Sequence, residues 1–460
     1  MDDFNREKRV LIKKTFSGGI SFKPGTGKTD HLPIETLAAP PIVTIPLMQD
    51  AAKPAKPAVQ VGRHVALGQI IGDAGDGSGA TVHASVSGTV AAIERYPYLE
   101  NREALCVTIE NNNLDEFASP IPYDKPWHES QPVELLEKVR LSGIIDCAGG
   151  NTLLHSLLAA AVQKPVRTIM VNAVQTEPFL SADARLFIEQ TESVLTGTAI
   201  CRKIIGAPAC RIVISDRRPE LAQAISALLS DERFKTFSLE TLKKSKYPAH
   251  NERLLIKLCT GSELSATESA KEAGCMVISP SSAAALKEAI VDLRPSCQRV
   301  VTVAGPAAAS PKNLLVRIGT PVRFLLEACS VDVLKMRKLV SNGILAGEAL
   351  QDMDMPVTKT TAALLAIDGL RTTGMPHACL GCRRCYAACP VRLEPSRLVG
   401  LIQLASGAEL KKTPLLECIE CGCCAYVCPA KIDLVHFLQY GKRLVRSPNY
   451  RNTLVQRSAA

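Results

Sequence analysis

The chain of 460 residues is 46% hydrophobic and 22% charged and carries a formal net charge of +9. That length predicts about three domains with sizeable cores, and the hydrophobic share excludes an intrinsically disordered chain. The longest apolar stretch, Leu157–Val162, is far below the roughly 20 residues a membrane-crossing helix needs, and the charged opening, residues 1–14, lacks the apolar core of a secretion signal.

Taken in chain order, residues 1–125 read as all-β: short apolar stretches at Ile42–Met48, Ala58–Val61, His64–Ile71 and Thr81–Ile93 are separated by Gly, Pro and Asp turns. The pieces Val61–Ile70 and Ala84–Val90 are similar to the lipoyl-type barrel-sandwich hybrid. No lysine stands at the hairpin tip between Val82 and Val90, so a swinging-arm carrier is not expected, and His64 and His83 read as isolated histidines rather than ligands. Residues 126–245 read as α/β. Helices are expected at Pro132–Leu141, Thr152–Val162, Ala182–Leu195 and Pro219–Leu229, alternating with strands at Thr168–Asn172 and Cys210–Ser215, an order that implies a mostly parallel sheet. Residues 246–335 open on the apolar run Leu254–Leu258. They continue with two strands, Arg299–Pro306 and Asn313–Pro321, and a helix at Val322–Cys329, the outline of a small β-grasp unit. A connecting region, 336–374, precedes a cysteine-rich module at 375–445 with a linking helix at Pro395–Ala405, and a polar tail is expected at 446–460. The fold class is therefore multi-domain α+β.

The cysteine-rich module names a cofactor. Cys379, Cys382, Cys385 and Cys389 are followed directly by Pro390, and Cys418, Cys421, Cys424 and Cys428 directly by Pro429. Both read C-x2-C-x2-C-x3-C-P, the ligand run of proteins with two [4Fe–4S] clusters, in which the fourth cysteine of each run serves the other cluster. That places Cys379, Cys382, Cys385 and Cys428 on one cluster, and Cys418, Cys421, Cys424 and Cys389 on the second. The alternatives are zinc sites built from C-x2-C pairs, but the doubled run is a poor zinc pattern. Cys423 is off register and reads as a small buried side chain. The eight scattered cysteines elsewhere read as free buried thiols in a reducing compartment.

The module is also basic, with Arg383, Arg384, Arg392, Arg397, Lys411, Lys412, Lys442 and Arg443 among its cations. Aromatic residues do not interleave with them as a nucleic-acid stacking platform requires. The charge suits steering of an acidic redox partner or proximity to anionic headgroups; an ordinary solvated face is the alternative.

In module order and motifs, residues from about Phe16 to Gln439 resemble one family, the C subunit of the Rnf complex, a membrane-bound ferredoxin:NAD oxidoreductase that couples electron transfer to ion translocation. The resemblance is carried by Phe16-Ser17-Gly18-Gly19-Ile20, Pro54–Pro57, Val82–Gly88, Lys246-Tyr247-Pro248, Val300–Pro321, Met355–Lys359 and Glu417–Gly422. It implies that the α/β domain is similar to the NADH-binding flavoprotein subunit of complex I. It also implies a soluble-ligand-binding β-grasp unit, partner subunits in a membrane complex, a redox partner such as ferredoxin or a cytochrome, and a peripheral place on the cytoplasmic membrane face.

The chain departs from the family at the flavin loop, roughly G-x-G-G-A-G-F-P-T-H, whose glycines bring backbone N–H groups to phosphate. The equivalent here is Asp146-Cys147-Ala148-Gly149-Gly150-Asn151-Thr152-Leu153-Leu154-His155, with a carboxylate close to where the phosphate would lie. Downstream, one acidic position has become Gln175, while Glu177 and Asp183 remain. Two readings stay open. Either Gly149, Gly150 and Glu177 still serve an FMN and NADH site, or the domain is a retained scaffold and electrons pass only between the clusters and protein partners. A soluble flavin-dependent reductase of the same fold, of the cobalamin reductase type, is the alternative function, although its usual module order differs.

Overall fold

The computed structural model describes residues 9–12, 15–22, 28–49, 53–75, 79–98, 102–369, 375–404 and 407–446. The polar tail expected after Arg446 lies outside the described residues, as do Arg451, Arg457 and the end of the linking helix at Ala405.

The N-terminal β domain is built from two small antiparallel sheets. One has the order Ile42–Pro46, Arg102–Asn111, Gly88–Tyr98, His64–Val65, and the other Lys56–Pro57, Ile70–Asp73, Val82–His83. Alternation along the strands sends Val43, Ile45, Val65, Ile71, Val82, Val90, Val107 and Ile109 into one core. His64 pairs with Glu116 at 2.6 Å on the surface. His83 is buried, and burial together with nearby Lys359 holds it well below the ordinary histidine range.

The α/β domain carries a five-stranded, wholly parallel sheet in the order Arg9–Ile12, Phe237–Leu242, Ala209–Ser215, Thr168–Ala173, Cys275–Ile278. It extends past the boundary expected at 245. Leu254–Leu258 lies in the helix Glu252–Thr260, and Cys275–Ile278 with the helix Pro280–Val291 completes the fold. A strand buried on both faces shows no alternation, so Cys275–Ile278 could not be told from loop or helix by period. The helix expected over Ala182–Leu195 is two, Ala182–Glu189 and Thr191–Ile205, because Gln190 (φ −125°, ψ 41°) leaves the helical region. Thr152–Leu153 is a short strand paired with Ile145–Asp146, and the helix begins only at Leu154.

The third sheet has six strands in the order Glu348–Leu350, Met336–Ser341, Ala363–Asp368, Gln298–Ala304, Lys312–Arg317, Ile34–Thr36. The helix Val322–Ala328 packs Val322, Leu325 and Leu326 onto Val301, Val303, Leu314 and Val316. Three of these strands come from 336–368, the stretch expected to be a connector, and one from 34–36, expected within the barrel-sandwich. Pairing with a distant strand, which local pattern does not reveal, redraws those boundaries.

The C-terminal module is a set of short helices around its cysteines. In the helix Leu434–Arg446, Leu434, Leu438, Gly441 and Val445 recur at helical spacing and face Leu398, Ile402, Leu410 and Leu415. No helix of the described residues is long and apolar enough to cross a membrane.

Candidate functional site

The first cysteine run lies on an irregular segment, with Gly381 and Arg383 in the left-handed region, that enters the helix Arg384–Ala388, with Cys379 and Cys382 exposed and Cys385 buried. The His377 amide donates to the Ala430 carbonyl at 3.0 Å, setting this run beside the chain that leaves Cys428. Cys385, Cys389, Cys424 and Cys428 share one buried core. Cys389 crosses over from its own run: with Cys418, Cys421 and Cys424 it lines a single small cavity under Leu393 and Leu438. The thiols flank this space without closing on it, and no group of three or more His, Cys, Asp or Glu among the described residues is drawn together as a metal-holding set. Backbone amides already address two of the sulfurs, Leu393 N to Cys389 Sγ at 3.2 Å and Glu420 N to Cys418 Sγ at 3.4 Å. Cys423 lines the same void; the four in-register thiols with their amide donors are the donor set that an iron–sulfur cluster requires. Burial pushes Cys389 up and Cys418 to about 11, so bound metal must displace their protons. Cys423, off register in the sequence, is fully buried against Tyr247 and Ala388.

A second cavity, of about 650 Å³, opens on the α/β domain. Gly150 and Glu177 line it, as do Asp183, Asn172, Gln175, His250 and Arg299. Gly149 does not line it: a Cβ there would come within 2.4 Å of Glu252 Oε2, so this glycine marks close packing against a carboxylate. The other walls come from far along the chain, Met48, Gln49 and Tyr98 from the barrel-sandwich and Ser341, Asn342, Ala346, Gly347 and Glu348 from the six-stranded sheet and its turn. None of these, nor Arg299 and His250, was singled out from the sequence. Only the placement of a charge, Arg299, at the head of the apolar strand Gln298–Ala304 hinted at a role. His155 is half-buried at the helix start, away from the cavity lining, and its Nδ1 has no hydrogen-bond partner among the described residues.

Glu177, Asp183 and Glu348 stand in the cavity walls, and Asp146 and Glu252 lie outside its lining. Burial pushes Glu177 up to about 7 against the hydrogen bonds it accepts, including Leu345 N at 2.9 Å. Burial also raises Asp146 and Asp183, and burial with neighbouring Asp146 brings Glu252 up to about 7. Burial lowers His250 to about 4, so it is neutral, with Nδ1 bonded to Thr176 Oγ1 at 2.7 Å. Arg299 is the buried cation: its Nη1 donates to the Lys359 carbonyl and lies 3.6 Å from Cys147 Sγ. The volume suits a cofactor-sized ligand. The phosphate end of a flavin mononucleotide does not fit, because the Asp146 carboxylate already takes Ser279 N at 2.8 Å and Ala148 N at 2.9 Å.

The cavity and the cysteine module meet at Tyr247. Its hydroxyl donates to the Cys421 carbonyl at 2.6 Å and lies against Glu177. Its ring contacts His250 at a centroid distance of 5.4 Å and Phe22 at 6.1 Å, and Phe22 reaches Tyr426 of the module at 5.6 Å. Around the module Arg383, Arg384 and Arg397 are exposed, as expected for a basic surface. Lys442 is not part of that surface. It is buried, with Nζ donating to the Cys418 carbonyl and to Glu420 Oε1 at 2.6 Å.

Comparison with known proteins follows the same division. Residues 14–114 match the RnfC barrel sandwich hybrid domain, 139–288 the Nuo51 FMN-binding domain, and 373–429 the 4Fe-4S dicluster domain. The chain is 32% identical to the C subunit of the proton-translocating ferredoxin:NAD(+) oxidoreductase complex of Clostridium ljungdahlii, over 95% of each chain. It is 30% identical to the C subunit of the Na(+)-translocating ferredoxin:NAD(+) oxidoreductase complex of Acetobacterium woodii, over 93% of this chain and 96% of that one. With the C subunit of the ion-translocating oxidoreductase complex of Pseudomonas aeruginosa it shares 32% identity over 83% of its own length and 49% of that relative's. The chain belongs to the family of C subunits of Rnf-type ion-translocating oxidoreductase complexes.

Proposed function

We propose that the chain passes single electrons between partner proteins as a peripheral subunit of a membrane-bound Rnf-type complex, which couples the transfer to ion translocation. Cys379, Cys382, Cys385 and Cys428 hold one [4Fe–4S] cluster, and Cys418, Cys421, Cys424 and Cys389 hold the other. When bound, each cluster accepts and releases one electron at a time. The residues around them orient the thiolates and control solvent. Leu393 N and Glu420 N donate to sulfur, Leu393 and Leu438 keep water from the second set, and Lys442 holds the Cys418 and Glu420 end of that loop in place. Exposed Cys379 and Cys382, beside Arg383 and Arg384, face the surface where a redox partner of acidic character would dock. The partners are other subunits of the complex and a ferredoxin, cytochrome or other redox protein on the cytoplasmic face of the membrane. The dicluster-domain match supports the cofactor.

The observation that carries this reading is the crossing of Cys389 into the cavity lined by Cys418, Cys421 and Cys424. Iron and acid-labile sulfide analysis on anaerobically purified protein tests it. The expected content is about eight irons per chain, falling to about four in Cys389→Ala and unchanged in Cys423→Ala. About one metal per four thiols, or equal losses in both variants, would rule the reading out.

A further inference from the structure

We infer that Asp146 is a built-in anion: its carboxylate fills the donor cradle of the α/β domain, so the adjoining cavity selects ligands without a phosphate at that end. The argument is independent of the cluster module. Strand Thr168–Ala173 is followed in space by Ala209–Ser215 and Phe237–Leu242 on one side, while Cys275–Ile278 returns to its other side. The strand order thus reverses between Thr168–Ala173 and Cys275–Ile278. In open parallel sheets this is where ligands bind, at the carboxyl ends of the strands. Ser279 leads from that last strand into the helix Pro280–Val291, and the amides at such a helix start are a ready-made site for an anion.

Here those donors are taken from within. Ser279 N and Ser279 Oγ donate to Asp146 Oδ1 at 2.8 and 3.1 Å, and Ala148 N donates to Oδ2 at 2.9 Å. Ser279 Oγ in turn accepts from Ser282 N at 3.2 Å, so the first-turn amide is engaged as well. Asp146 is 1% exposed and forms the strand pair that closes the loop, Asp146 opposite Thr152. A phosphate entering this turn would find no vacant donor among these groups and would meet a second carboxylate, since Glu252 backs Gly149. The buried guanidinium of Arg299 also lines the cavity; its Nη1 is directed to the Lys359 carbonyl and Cys147, and its Nε has no hydrogen-bond partner among the described residues. The rest of the cavity, about 650 Å³ with Asn172, Thr176, Asn342 and neutral His250 in its walls, offers hydrogen bonds without demanding an anion.

Two probes that differ only by the phosphate, riboflavin and FMN, test this on the full chain by flavin-fluorescence quenching. Wild type, Asp146→Asn and Asp146→Gly are compared, with melting temperature and iron content confirming that each variant is folded. Wild type should show no preference for FMN over riboflavin. Both variants should gain at least about tenfold in FMN affinity relative to riboflavin. Asp146→Asn keeps the side-chain volume, so the result does not hang on whether the glycine variant folds. An FMN preference of about tenfold already present in wild type overturns the inference. So does a preference that neither variant changes, including no binding of either flavin to any of the three proteins.

Discussion

Tyr247 donates its hydroxyl hydrogen to the backbone carbonyl of Cys421 at 2.6 Å, and the same hydroxyl lies against the carboxylate of Glu177. Glu177 lines the α/β cavity and Cys421 lines the cysteine cavity. One buried phenol therefore joins the two sites, although 174 residues separate it from Cys421. Leu345 strengthens the junction: its amide donates to Glu177, and its carbonyl packs against Gly422.

Tyr247→Phe removes the donor while keeping the ring. The part-buried Cys421 carbonyl loses a partner, which costs about 1 kcal/mol. Loss of the dipole also leaves more negative potential beside the cysteines of the second run. The cluster they hold should become harder to reduce while its neighbour is unchanged. Redox titration followed by electron paramagnetic resonance checks this; an equal shift of both signals, or of neither, counts against a specific link.

Gly422→Ala tests the contact between the second-run loop and the Leu345 turn. Gly422 sits at φ +73°, and an added Cβ would lie 2.4 Å from the Leu345 carbonyl oxygen. The left-handed backbone alone costs a side chain roughly 1–2 kcal/mol, and backbone atoms cannot yield as a side-chain tip can. The expected result is a lower melting temperature with partial loss of iron. Wild-type values for both would show that the turn moves aside freely.

Arg253 ties the cysteine module to the α/β domain. Its Nε and Nη2 donate to the Leu264 carbonyl at 2.9 and 2.6 Å, its Nη1 donates to the Glu417 carbonyl at 3.1 Å, and its guanidinium pairs with the Glu417 carboxylate. Arg253→Met retains most of the packing and removes these donors, at a cost of about 1–3 kcal/mol for the part-buried groups left behind. Limited proteolysis should cut the C-terminal module faster in the variant, with the melting temperature of the whole chain lowered.

Glu252 gives a pH signature. Its folded-state value, about 7, lies above the ordinary 4.5, mainly through burial and secondly through Asp146. The folded chain therefore holds this proton more tightly than the unfolded chain. The stability this confers is fully present below about 4.5 and is lost as pH rises to about 7. Glu252→Gln removes the titration, so its melting temperature should rise relative to wild type between about pH 5 and pH 8. A constant offset across that range would mean Glu252 does not titrate there.

Much of the architecture was legible because its signals are local. Short apolar stretches between turn residues marked part of the barrel-sandwich, at 42–48, 64–71 and 81–93, but missed its strand Arg102–Asn111, and helix and strand periods alternated through 126–229, with the helix at Pro132 starting where the structure has it. Boundaries were read less well. The runs at 275–278 and 336–368 gave no sign of which sheet they would join, since a strand's partner is set by packing far along the chain. The departure at Asp146 was visible as a lost glycine, but its partner Ser279, 133 residues away, was not.

The doubled cysteine spacing is a property of sequence alone, because a ligand run must wrap one cluster within a dozen residues, and it identified the cofactor class with no knowledge of the fold. Tertiary structure decided what surrounds those cysteines. It carried Cys389 to the other run's cavity, brought Tyr247 onto Cys421, and set Asp146 into the donor turn at Ser279. Each depends on burying apolar faces of distant segments against one another, and that free energy is shared across the whole core and written in no single stretch of residues.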